Sequence, residues 1–187
     1  MSEILKIFCS VREIEKYFNV RLHETCAREA FDLGGEFHGS DYPNMLLIIQ
    51  GHKYLVTGFW GLVPAETGIE NISTYQNSNP LIATLYTSLT SLYSRSSNSD
   101  LKRCIVPITS IKNNSDEQMD IATENALMGL AGVYRRIGNI TVFSLLHTNY
   151  RKNKKAPIKM DANDSELWLD YDYPIGHNLD CSKYQNP

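Results

Sequence analysis

Two short apolar runs, each ending at a proline, decide the fold: Phe59-Trp60-Gly61-Leu62-Val63-Pro64 and Arg103-Cys104-Ile105-Val106-Pro107. Each is a short apolar run, and Arg103–Val106 is expected to be a strand. Proline lacks the N–H that a ladder needs, so Pro107 is expected to terminate its strand. Working outward, Met45–Gln50 and Tyr54–Trp60 are two apolar runs separated by Gly51-His52-Lys53, which is a hairpin signal. Residues 126–134 and 140–146 form a second hairpin, turned at Gly138-Asn139.

Helices are fewer. Ser10 and Glu13 have capping-box spacing, and Val11, Ile14, Tyr17 and Phe18 form one apolar face, so residues 10–18 are expected to be helical. Leu81, Leu85, Leu89 and Leu92 predict a helix over 81–93, and Leu167-Trp168-Leu169 a short one over 164–170. Residues 30–44, with three glycines and Pro43, are expected to be loop. Residues 65–80 are polar and irregular, residues 112–120 are polar and exposed, and Arg151-Lys152-Asn153-Lys154-Lys155 is a basic loop. Hairpin-linked strands that outnumber helices give an α+β class, with a mainly antiparallel sheet or open barrel and a few flanking helices.

The chain has 187 residues, 42% hydrophobic and 10% aromatic, which fits one globular domain spanning 1–187. A net charge of -3 excludes a surface that is basic throughout, yet leaves room for a local basic groove. The four cysteines, at 9, 26, 104 and 181, form no CxxC pair, and no signal peptide or membrane-length apolar run is present. A reduced, cytoplasmic protein without a membrane partner is expected. His38 with Asp41, and His177 with Asp180 and Cys181, lack the doubled spacing of a zinc site, so no metal is expected; no cofactor motif is present either.

The order of these segments resembles the SRAP family, the SOS response-associated peptidase-like domains that guard abasic sites in single-stranded DNA. Cys9–Phe18 is similar to the family's opening cysteine and helix, and Trp60–Pro64 and Arg103–Pro107 to its two strand motifs. Leu130-Ala131-Gly132-Val133-Tyr134, Lys155-Ala156-Pro157-Ile158 and Glu166–Asp170 follow in the family's order. The resemblance implies a role in the DNA-damage response, with covalent capture of an abasic sugar and self-processing.

That chemistry needs an amino-terminal cysteine. Its free amine forms an imine with the ring-opened sugar aldehyde, and its thiol closes a thiazolidine. Here position 2 is Ser2, and Cys9 has its nitrogen in a peptide bond. The family's glutamate falls near Asn113, and residues 105–115 contain no carboxylate. Its histidine falls at Asn153 or Tyr150, and its asparagine-alanine-arginine motif near Asn71-Ile72-Ser73.

Three functions follow from this. The first is a pseudoenzyme that binds single-stranded or abasic DNA through Asn71, Arg151, Lys154 and Lys155, with Trp60 in support. The second is an active crosslinking enzyme that uses Cys9 as its catalytic residue after removal of the first eight residues. The third is a module for a protein partner. Trp60 and Trp168 also have a plainer role as packing residues, as Cys9 does as a small buried hydrophobe. The Arg151–Lys155 run has one as a solvated loop, and Arg135 and Arg136 as contributors to solubility.

Overall fold

Strand β7, Lys102–Ile108, runs through the middle of the molecule with every residue after Lys102 buried. A computed structural model of the chain describes residues 3–32, 34–79, 87–88, 100–113, 126–150 and 154–170. The strands are β1 (Glu3–Ile7), β2 (Arg21–Leu22), β3 (Gly35–His38), β4 (Asn44–Ile49), β5 (Tyr54–Trp60) and β6 (Thr87–Ser88), then β7 and β8 (Ser110–Asn113). They continue with β9 (Met128–Ile137), β10 (Ile140–Tyr150), β11 (Lys154–Pro157) and β12 (Lys159–Met160). Three helices are described: α1 (Val11–Phe18), α2 (Ile72–Ser78) and α3 (Ala162–Asp170).

The larger sheet has the order β11-β10-β5-β4-β7-β9-β12, and β9 also pairs with β10. That extra pairing closes β10, β5, β4, β7 and β9 into a five-stranded barrel. Its ladders are antiparallel except β10–β5, where Val142 and Phe143 run parallel beside Phe59 and Trp60. The expected α+β class with a mainly antiparallel barrel is what the molecule adopts. A second, three-stranded sheet, β3-β1-β8, branches off where β7 ends. At that corner Thr109 donates from its backbone N–H and its hydroxyl to the Lys6 carbonyl (2.8 and 3.0 Å), and accepts from the Phe8 N–H at 3.1 Å.

Both hairpins form where expected. Gly138 turns the second with φ +60°, a left-handed conformation that glycine takes without Cβ strain. The capping box is present: the Ser10 N–H donates to Glu13 Oε2 at 2.7 Å, and the Glu13 N–H to Ser10 Oγ at 3.3 Å. Helix α1 buries Val11 and Ile14, whereas Tyr17 of the expected apolar face is 38% exposed.

Several expectations are corrected. Pro107 does not stop its strand; it pairs with Gly129 inside β7. The Arg103 carbonyl accepts from the Gln50 N–H at 3.0 Å and the Arg103 N–H donates to the Gln50 side-chain Oε1 at 3.1 Å, so odd-numbered residues of β7 point their N–H toward β4. The β4 ladder ends at Ile105, so among the described residues the missing N–H of Pro107 faces no ladder partner. The 30–44 stretch contains β3, paired with β1 from Ile4↔His38 to Ile7↔Gly35. The 65–80 stretch contains α2, held by buried Gln76, whose Nε2 donates to the Gly61 carbonyl at 2.9 Å. Of the helix expected over 81–93, only Thr87 and Ser88 are described, and they form a strand parallel to β10. Lys154 and Lys155 of the expected basic loop lie in β11, and Lys112 and Asn113 in β8. The remainder of 112–120, Arg151–Asn153 and the 177–181 stretch lie outside the described residues.

Two buried arginines tie the elements together. Arg103, 1% exposed, stacks over the Trp168 ring at 4.7 Å and donates to the Trp168 carbonyl at 3.3 Å, while the Trp168 indole N–H donates back to the Cys104 carbonyl at 3.1 Å. Arg135 grips Asp100 through two bonds of 2.6 and 2.7 Å and the Val63 carbonyl at 2.8 Å. The two proline-ended motifs are therefore fixed by guanidinium groups, one against α3 and one against β9. Among the described residues no helix is long and apolar enough to cross a membrane.

Candidate functional site

The register of the small sheet sets the geometry of the amino-terminal site. Strand β1 pairs with β8 from Glu3↔Asn113 to Lys6↔Ser110, with Leu5 and Ile111 opposite one another and buried. Glu3 therefore runs beside residue 113, where the SRAP resemblance expects a carboxylate and this chain has an amide. On the other side Ile4 pairs with His38, which leads into Gly39. Gly39 lies flat on Trp60: a Cβ there would stand 3.2 Å from the indole ring. Trp60 in turn stacks on Phe143, with ring centroids 6.3 Å apart and planes 19° apart.

Trp60 is 1% exposed, so neither face of its ring is open to a nucleotide base. It acts as a wedge between the β3–β4 connection and the barrel. Its indole N–H is buried without a hydrogen-bond partner among the described residues. Cys9 lies past the far end of β1, six residue steps from Glu3 or up to about 20 Å of extended chain. It is half-buried against the core, and burial, followed by the Glu13 carboxylate, pushes its thiol up to about 11. At neutral pH that thiol is protonated and a poor nucleophile.

Asn71 is exposed just before α2, with its amide donating to Glu70 Oε1 at 3.2 Å. Lys154 and Lys155 pair through the backbone with Tyr150 and Asn149 at the end of β10. Asn149 is six steps along β10 from Phe143, about 20 Å at strand rise, so the lysines and Trp60 do not meet at one point. Arg151 lies outside the described residues. His147 is buried within β10, beside Ser88 and Pro157 in register. His38 and Asp41 are near in sequence, but the described residues hold no group of three His, Cys, Asp or Glu fit to bind a metal.

No protein-family model and no curated protein matches the sequence. Solved structures do resemble the fold. A crystal structure of a protein from Bacteroides thetaiotaomicron superposes with a TM-score of 0.69 at 15% identity, covering 91% of this chain and 82% of that one. A protein from Bordetella bronchiseptica gives a TM-score of 0.66 at 14% identity, covering 99% of this chain and 93% of that one. At such identities the likeness concerns the fold alone.

Sequence reasoning missed one further feature. A cleft of about 580 Å³ opens between the turn after β2, the β4–β5 hairpin and the β9–β10 turn. Its signal was the Arg135-Arg136 pair. Strand alternation sends one guanidinium inward to Asp100 and the other outward to the cleft.

Proposed function

We propose that this chain binds single-stranded or abasic-site DNA on an SRAP-like scaffold without the covalent capture step. The observation that carries this reading is the Glu3↔Asn113 pairing. It supports an amino-terminal site of the family's layout, in which a serine stands at position 2 and an amide where a proton-shuttling acid is required. An asparagine cannot exchange a proton at neutral pH, and a serine hydroxyl closes a ring far more slowly than a thiolate. Lys154 and Lys155 beside β10, with Arg151 close in sequence, supply the phosphate contacts.

The test is fluorescence anisotropy of a labelled short single strand across a salt series. Three phosphate contacts give a log–log slope of about -2 for single-stranded DNA, and Lys154→Ala with Lys155→Ala flattens it by about 1.4. Absence of binding at low salt, or affinity indifferent to salt, refutes the reading. An abasic oligonucleotide on a denaturing gel is expected to give no shifted band. A shifted band that vanishes in Cys9→Ala establishes instead an enzyme acting through that thiol.

A further inference from the structure

The cleft at the other end of the barrel has a donor-rich lining. Arg136, His23, His52, Tyr54, Thr57 and Asn139 all border it, and among the described residues no aspartate or glutamate does. Glu24, in the turn beside His23, is exposed and outside the lining. This is unusual for a chain in which 21 acidic residues outnumber 18 lysines and arginines. Arg136 is exposed and has no carboxylate partner among the described residues, unlike its neighbour Arg135, which is committed to Asp100. A guanidinium left unpaired at the mouth of a cleft, with hydroxyl, amide and imidazole groups around it, matches a phosphoryl oxygen set.

Size and shape narrow the ligand further. At about 580 Å³ the cleft lies in the range of small-molecule sites and far exceeds one inorganic anion. Tyr54 is 46% exposed and its ring is held edge-on by His23, with centroids 5.6 Å apart. The His23 ring is itself positioned by the Thr25 hydroxyl at 2.8 Å. An aromatic group with one restrained edge and open surface is suited to a planar heterocycle. His23, Cys26 and His52 do not form a metal-binding group. We propose that this cleft binds a nucleoside monophosphate, with Arg136 holding the phosphoryl group and Tyr54 the base.

The site is independent of the DNA-binding face. The β9–β10 turn and the Asn149–Tyr150 positions that pair with Lys155 and Lys154 are at opposite ends of an 11-residue strand, about 30 Å apart. Isothermal titration of the full chain with deoxyadenosine 5′-monophosphate therefore tests it separately. The nucleotide is expected to bind, deoxyadenosine to bind at least about tenfold more weakly, and Arg136→Gln to weaken the nucleotide by about tenfold or more. Arg136→Lys is expected to recover part of the loss, and Lys154→Ala with Lys155→Ala to leave binding unchanged. A melting temperature of Arg136→Gln equal to the parent's separates lost binding from lost folding.

Four results overturn the proposal. One is no nucleotide binding, and another is equal binding of nucleoside and nucleotide. A third is inorganic phosphate binding as tightly as the nucleotide. The last is a 5′-phosphorylated ten-mer displacing the nucleotide at equal or lower concentration, which assigns the cleft to strand ends instead.

Discussion

Trp168→Ala is expected to be among the most damaging single changes in this protein. The side chain is 2% exposed and occupies the interface between α3 and β7. Truncating a buried tryptophan costs about 3–5 kcal/mol in lost transfer energy and residual cavity. The change also withdraws the ring beneath a guanidinium that is itself 1% exposed, which adds roughly 1 kcal/mol. A loss of about 4–6 kcal/mol is a large part of the ~5–15 kcal/mol that holds a domain folded. For a chain of this size it lowers the melting temperature by about 10–20 °C. Urea unfolding followed by far-ultraviolet circular dichroism reads the change directly. Two companions sharpen the test. Trp168→Phe keeps most of the packing and removes the indole donor to Cys104, for a cost of about 1 kcal/mol. Leu167→Ala, on the same helix but 64% exposed, stays within about 0.5 kcal/mol of the parent. A Trp168→Ala loss below about 1 kcal/mol, or one no larger than that of Leu167→Ala, refutes the account of α3 as part of the core.

Glu15 gives a signed pH dependence. Burial pushes its carboxyl up, but the Leu22 N–H at 2.7 Å and the Arg28 guanidinium at 3.0 Å outweigh this and hold it below its ordinary value of 4.5. A depressed folded-state value contributes stability above pH 4.5 that is lost as pH falls below it, so Glu15→Gln flattens the acid limb of a stability–pH curve. An unchanged limb shows that the Glu15–Arg28 pair contributes nothing net. The amino-terminal register makes a second prediction, a gain of function. Ser2→Cys with Asn113→Glu puts a terminal thiol and amine one residue from the Glu3↔Asn113 pair, and after removal of the initiator methionine a crosslink to an abasic oligonucleotide is expected on a denaturing gel. Asn113→Glu alone gives none, and a double variant equally silent refutes the idea that the layout persists without its chemistry.

The elements legible in the sequence were those specified locally. Alternating or continuous apolar runs joined by Gly51-His52-Lys53 and Gly138-Asn139 specify hairpins, because each strand's partner is its neighbour in the chain. The Ser10–Glu13 box specifies a helix start for the same reason. Strand β3 was hidden among glycines because its ladder is to β1, about thirty residues away in sequence, and only that tertiary pairing makes it a strand. Helix α2 was hidden because its seven residues have weak propensity, and what holds it is a side-chain bond from Gln76 to the Gly61 carbonyl. Proline is a reliable stop only where a ladder continues on its nitrogen side. At Pro107 none does, and that depends on where β4 ends. The site was less legible than the fold. Trp60 fits a base-stacking residue or a core residue equally well in sequence, and only the closeness of Gly39 and Phe143 shows that its faces are covered.

The packing that sets Glu3 beside Asn113 comes from residues to which the proposed function gives no chemical role. Adjacency between Glu3 and residue 113 is enforced by Ile4, Leu5 and Ile111, which are buried, and by Thr109, which locks the corner to Lys6. None of these residues takes part in the family's implied reaction. The same separation holds at the cleft. Arg135 is committed to the fold through Asp100 and Val63, and one residue later Arg136 is held by no such contact among the described residues. Function on this fold must therefore be tested residue by residue rather than inferred from the barrel.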